Sequence, residues 1–293
     1  MKRFLIVPVI ILATLNNSFG AGFQSLQLGS DGRSSGMGMV SSGLFSETGG
    51  YQNPADLVLK PGSVFMFSTM NWIEDVQTHF VSMSKSNAKQ GIGLHVLYTD
   101  VSEIEHRLVA SPEPIGVFDS HEMVAGISYA HHLNPSMTLG STVHVLYEKL
   151  YIDEAWGLGI DLGITWKKSD TLPILSATIR NLGKTTQLKE ESIQLPATVQ
   201  MGLAYPFLMA NTNCLAVLDF VSVKDSGFHM HSGIEYRIGK QLLIRGGYQT
   251  GYELRSFTGG IGIAWHMYRI DYAYLPLNTD FNDSHRISFT ISR

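Results

Sequence analysis

The sequence is poor in several features, and each shortage removes a class of protein. Its 293 residues include one cysteine, so no internal disulfide can form, and Cys214 is expected on a strand as a small apolar residue. Only 16% of the residues are charged, against about 25% in an ordinary soluble domain. The formal net charge is −4 and no basic stripe is present, which argues against a nucleic-acid partner. Beyond Leu15 no long uninterrupted apolar run occurs, so a helical membrane protein is not expected. No phosphate-binding glycine loop and no acid/base pair stands out. His229 and His231 share a face two residues apart, but a metal centre needs third and fourth ligands that the sequence does not offer. A serine hydrolase needs Ser, His and a carboxylate together, and His131 and His132 have no nucleophile near them in the pattern. The chain therefore reads as non-enzymatic, with no cofactor and no metal.

What is present is alternation. From Ala155 to Lys167, the residues Trp156, Leu158, Ile160, Leu162, Ile164 and Trp166 point one way, and small or polar residues point the other. A strand's side chains alternate between faces, so this is a ribbon with one apolar side. A tryptophan near each end of that side matches the aromatic girdles of a membrane-spanning strand, which needs about 9–11 residues to cross. The composition agrees: 44% of residues are hydrophobic and mean hydropathy is near zero, as when apolar and polar residues alternate rather than segregate.

The start of the chain fits export. Lys2 and Arg3 precede the apolar stretch Phe4 to Leu15, and Ser18-Phe19-Gly20 forms a small-x-small exit before Ala21. Residues 1–20 are expected to be a cleaved signal peptide, because the apolar run is too short to span a bilayer. Residues 21–61 hold Gly-rich and Asn-Pro turn signals rather than strand pattern. They are expected to form a plug, or hatch, at the periplasmic mouth of a barrel made by residues 62–293.

After Pro61 the period-2 pattern gives about fourteen strands, an even number as bacterial barrels of this kind require. Among them are Gln90–Thr99, Ser120–His131, Leu172–Asn181, Pro196–Tyr205 and Arg255–His266. Short links at Ser86–Lys89, Leu133–Pro135, Ile238–Lys240 and Met267 alternate with longer ones at Asp100–Asp119, Leu182–Leu195 and Leu275–Asp283. Such alternation is expected of short periplasmic turns and longer external loops. The link Phe207–Thr212 is long for its periplasmic position. By phase, Asp161, Arg180, His229, His231, Glu235, Arg237, Arg245 and Arg255 point into the lumen, with Asp161 and Arg180 expected to pair. Apolar stretches Leu108-Val109-Ala110 and Pro114 to Phe118 lie in the longest loop, where exposed patches often mark contacts.

Asp31, Arg33, Gly36, Met37 and Gly38, followed by Asn53, Pro54 and Ala55, resemble the opening of PorV/PorQ-type outer-membrane proteins, relatives of the FadL fatty-acid channel. Gly159 to Gly163, Arg180-Asn181-Leu182-Gly183, Arg245-Gly246-Gly247-Tyr248 and Asp271-Tyr272-Ala273-Tyr274 fit the same pattern in order and spacing. The resemblance implies an all-β, FadL-like barrel of fourteen strands with an N-terminal hatch, in which Asp31, Arg33, Gly36, Gly38, Asn53 and Pro54 are the hatch motif. It also implies location in the lipopolysaccharide-containing bacterial outer membrane. The role it implies is binding of secretion cargo or a partner protein in type IX export and surface attachment. The alternative is a FadL-like transporter that admits a hydrophobic small molecule. A continuous apolar lumen favours the transporter, and the inward charges weigh mildly against it.

Overall fold

The computed structural model describes residues 23–44, 47–73, 76–107, 113–188, 191–278 and 282–293. The expected signal peptide and the Leu108–Ala110 patch lie outside them. Strands β1 (Gly62–Asn71), β2 (Val76–Ser86), β3 (Gln90–His106), β4 (Gly116–Asn134), β5 (Met137–Leu150), β6 (Asp153–Trp166) and β7 (Ile174–Thr185) follow one another as antiparallel neighbours. A small hairpin, β8 (Gln187–Leu188) and β9 (Glu191–Ser192), interrupts the wall. The wall resumes with β10 (Thr198–Met209), β11 (Thr212–Val223), β12 (Gly227–Ile238), β13 (Leu242–Thr250), β14 (Phe257–Trp265), β15 (Tyr268–Leu275) and β16 (Ser284–Ser292). β1 pairs with β16 from Val64↔Ser292 to Asn71↔His285, which closes a barrel of fourteen strands. Closure matters because a sheet edge would leave backbone groups unpaired, and a closed barrel has none. Ser63 and Arg293 exchange backbone hydrogen bonds of 2.7 and 2.8 Å, so both ends of the barrel chain meet on one rim, here the terminal rim.

The alternation holds in the strands named for it. Ile92, Leu94 and Val96 on β3, Leu158, Ile160 and Leu162 on β6, and Ile261, Ile263 and Trp265 on β14 are exposed on the outer surface. This continuous apolar exterior is far larger than the patches a water-soluble monomer tolerates, and it matches the outward band of a barrel in lipid.

Several boundaries differ from the sequence reading, each for a physical reason. β3 and β4 run on past Thr99 and Ser120 as a projecting hairpin, so much of the expected Asp100–Asp119 loop is strand, bent by a bulge between Val101 and Ile104. Ile115 and Val117 of the expected apolar loop lie exposed on it. The Phe207–Thr212 link is in fact tight: β10 continues to Met209, and Ala210 and Asn211 turn at φ 51° and 61°. Two residues with positive φ are what a two-residue hairpin of matching twist requires. Arg255 precedes β14 and meets Leu277 in an isolated bridge.

Inside the barrel sits the N-terminal segment. It comprises a 3-10 turn (Gln24–Gln27), the short helix α1 (Gly32–Gly36) and a second 3-10 turn (Pro54–Val58). α1 lies against β13–β16, and the second turn against β2–β6. It reaches well beyond one mouth: Gln24–Leu28 border the cavity at the opposite rim, and Leu59–Pro61 the recess at the terminal rim.

Candidate functional site

The interior is two-sided, which the sequence did not lead us to expect. On β2–β5, Phe80, Leu97, Val124 and Leu146 stand in direct cross-strand register and form an apolar row. Phe23, Leu26 and Tyr51 of the inner segment pack on it, together with Met66 and Leu195. The largest group of charged positions lies instead on β12, β13 and β15 and on the inner segment, while Asp161, Arg180 and Asp219 lie on β6, β7 and β11 and Glu122 and Glu148 on β4 and β5.

Near the terminal rim six side chains close a ring of alternating charge. Arg33 meets Glu235 at 2.7 Å and Glu47 at 3.5 Å. Glu235 meets Arg245 at 2.6 Å, Arg245 meets Asp271 at 2.8 Å, Asp271 meets Arg269 at 2.6 Å, and Arg269 returns to Glu47 at 2.5 Å. Two members belong to the inner segment and four to the wall. Burial works against the Arg33 charge, but Glu235 and Glu47 outweigh it and hold its pKa above the ordinary value. Burial likewise opposes the Glu47 carboxylate, yet Arg269 and Arg33 keep it below the usual range. Pairing of this kind offsets the cost of burying charge. Arg237, by phase a lumen residue, is exposed and lines a recess of about 530 Å³ beside the ring.

Midway along the lumen, Asp219 accepts hydrogen bonds from the backbone N–H of Ser41 at 2.7 Å and the Gln200 amide at 2.8 Å. It thereby ties the inner segment to β10 and β11. The proposed hatch residues have local structural roles. Asp31 caps α1, its Oδ1 accepting from Ser34 N at 2.9 Å. Asn53 Oδ1 accepts from Ala55 N at 3.0 Å, with Pro54 opening the second 3-10 turn. This is the capping chemistry these residue types favour. Gly36 backs onto Gly260, and Gly38 (φ +75°) onto the β12 and β13 backbone.

Asp161 and Arg180 do not pair. A bulge between Ile160 and Leu162, with Asn181 at φ 60°, turns the Asn181 N–H onto Asp161 Oδ1 at 2.6 Å. The other Asp161 oxygen faces His144 at 3.5 Å, while Arg180 reaches Gln200 at 3.4 Å. A bulge re-aims side chains and ends regular pairing, and no alternation pattern reveals it. The His229–His231 pair is also split. His231 bonds Met39 O at 3.1 Å and Tyr252 OH at 3.0 Å, and His229 stacks on the Tyr252 ring at 3.9 Å.

At the opposite rim a cavity of about 700 Å³ opens, bordered by Leu28, Trp72, Thr99, Glu122, Tyr252 and Arg255 among others. Thr99 and Glu122 lie two residues from Leu97 and Val124 on the same inward face, so the cavity stands directly above the apolar row. Tyr252, Trp72, Glu47 and Arg269 were not singled out from the sequence, and Asp271 entered only within the stretch Asp271 to Tyr274. Arg269 and Asp271 carry the inward phase of β15 and were legible there. Glu47, in a segment without periodicity, was not.

The arrangement matches solved structures in shape. The CymD monoaromatic hydrocarbon channel is 14% identical, with a TM-score of 0.64 over 91% of this chain and 98% of that one. The toluene transporter TodX of Pseudomonas putida is 15% identical, with a TM-score of 0.65 over 90% of this chain and 97% of that one. The fold is FadL-like. No protein-family model matches the chain, and no curated protein matches it significantly in sequence. The narrower PorV/PorQ resemblance, and the secretion partner it implied, draw no support from these likenesses, which are to channels for hydrocarbons.

Proposed function

We propose that the chain is a bacterial outer-membrane channel that admits hydrophobic small molecules, with no enzymatic step, and that its N-terminal segment is the hatch. In that setting the terminal rim faces the periplasm and the 700 Å³ cavity faces outward. The observation that carries the reading is this cavity, bordered by Leu28, Trp72, Ile73, Val76, Val101 and Leu254, with the row Phe80–Leu97–Val124–Leu146 beneath it under Phe23, Leu26 and Tyr51. An apolar solute leaving water gains roughly 25 cal/mol for each Å² it buries, so a cavity leading onto an apolar wall draws such solutes inward. Sequence reasoning weighed the inward charges against this function. Of those charges, Glu235 and Arg245 lie on β12 and β13, where with Arg269 and Asp271 they hold the hatch, while Asp161 and Arg180 lie on β6 and β7. The two channels of like fold handle monoaromatic hydrocarbons, which fits a cavity of this character.

The test is uptake of radiolabelled toluene by cells that lack a channel of their own and express this chain. Uptake several-fold above cells with empty vector is expected. Leu97→Lys, which puts a charge into the apolar row, is expected to return it to background while the folded barrel is retained. Background uptake with the natural chain correctly inserted overturns the proposal.

A further inference from the structure

Two buried arginines lie outside the charge ring: Arg286, which donates to Leu28 O at 3.1 Å, and Arg255. Arg255 is 6% exposed, and among the described residues no carboxylate pairs with it. Its guanidinium instead stands 4.2 Å from the Tyr252 ring and 5.5 Å from the Trp72 ring, and its Nη1 lies 3.5 Å from Met39 Sδ. Arg33, Arg245 and Arg269, buried in the same barrel, each hold two carboxylates. Cation–π contacts of this kind offset only part of what burying an unpaired ion costs. Arg255 borders the outer cavity, and Thr99 Oγ1 on that lining is also buried without a hydrogen-bond partner. Buried polar atoms are normally satisfied, and exceptions need a reason. Leu28, Ile73, Val76, Val101 and Leu254 supply an apolar part of the lining, and Glu122 and Glu253 border it without pairing with Arg255. A volume of about 700 Å³ lies within the range of small-molecule sites.

We infer that the outer cavity binds an aromatic carboxylate of the benzoate class, its anion on the Arg255 guanidinium and its ring among Trp72, Ile73, Val76 and Leu254. A planar guanidinium pairs a carboxylate through two parallel hydrogen bonds, and Trp72 with the apolar side chains beside it gives a ring an apolar seat. The inference deepens the channel reading: it selects charged aromatics over the neutral hydrocarbons handled by the channels of like fold.

Calorimetric titration of the detergent-solubilised full chain with benzoate, methyl benzoate, toluene and octanoate tests it. Benzoate is expected to bind at least tenfold more tightly than its neutral methyl ester, a comparison that needs no variant. Arg255→Gln is expected to remove that preference while leaving toluene affinity within twofold, and Arg255→Lys to keep part of it. Equal affinity for benzoate and methyl benzoate, or a preference that survives Arg255→Gln, overturns the anion site. Octanoate binding more tightly than benzoate overturns the aromatic part. The channel reading fails separately: benzoate bound with the expected preference but never taken up leaves the site standing, and toluene taken up without any benzoate preference leaves only the channel.

Discussion

At the scale of single residues, contact between hatch and wall depends on missing side chains and on one carboxyl. A Cβ built on Gly247 of β13 would fall on the backbone of Gly38, and backbone cannot rotate aside as a side chain can. Gly247→Ala is therefore expected to weaken docking of the hatch by about 1–3 kcal/mol, the usual range for overpacking. Faster proteolysis within residues 23–61 of the folded barrel checks it. Asp56 is the titrating group. Burial pushes its carboxyl up to about 7, although Thr165 Oγ1 donates to it at 2.7 Å. An unfolded aspartate titrates near ~3.9, so between about 4 and 7 the docked form binds more protons than the free form. Docking is thus firmest below that window and weakens as pH rises through it. Hydrogen exchange at amides 55–58, corrected for intrinsic rates, is expected to show this slope, and Asp56→Asn to flatten it.

At the scale of elements, the charge ring joins the hatch to β12, β13 and β15. A buried ion pair replaced whole is often neutral for stability, whereas removing one partner strands a charge and costs about 3–5 kcal/mol. Glu47 bridges Arg33 and Arg269, so Glu47→Gln breaks two links and leaves each arginine one carboxylate. Its side chain keeps 17% exposure, which places the expected loss near the lower end, about 3 kcal/mol. A Ser35→Cys reporter in a Cys214→Ala background measures it: Ser35 is fully buried in the docked hatch, so maleimide labelling is expected to accelerate in the Glu47→Gln chain. Labelling at an unchanged rate would show that the ring does not hold the hatch. The same elements show what periodicity conveys and what it misses. The outward faces of β3, β6 and β14 were legible because side chains alternate with a period of two. The Asn181 bulge and the Ala210–Asn211 turn were not, because each depends on positive φ at non-glycine residues.

At the scale of the whole molecule, the barrel closes through β1 and β16 and carries an apolar exterior, so its folded form is expected to resist SDS until heated. A shift in gel mobility between unheated and boiled samples of the membrane fraction checks this, and recovery of the chain as a soluble periplasmic protein would overturn it.

The alternation of apolar and small residues is local, and it alone determined that these segments form strands, which face of each meets an oily surroundings, and that about fourteen of them follow residue 61. Which inward residues meet is a matter of strand register and of where the inner segment lies, and these are set by pairs far apart in the chain. Arg33 finds Glu235 and Arg269 finds Glu47 across some two hundred residues, and Phe80, Leu97, Val124 and Leu146 align only once four strands are in register. Tertiary structure therefore decided that the lumen holds an apolar row and a ring of charge, because phase fixes the direction of a side chain but not its neighbours.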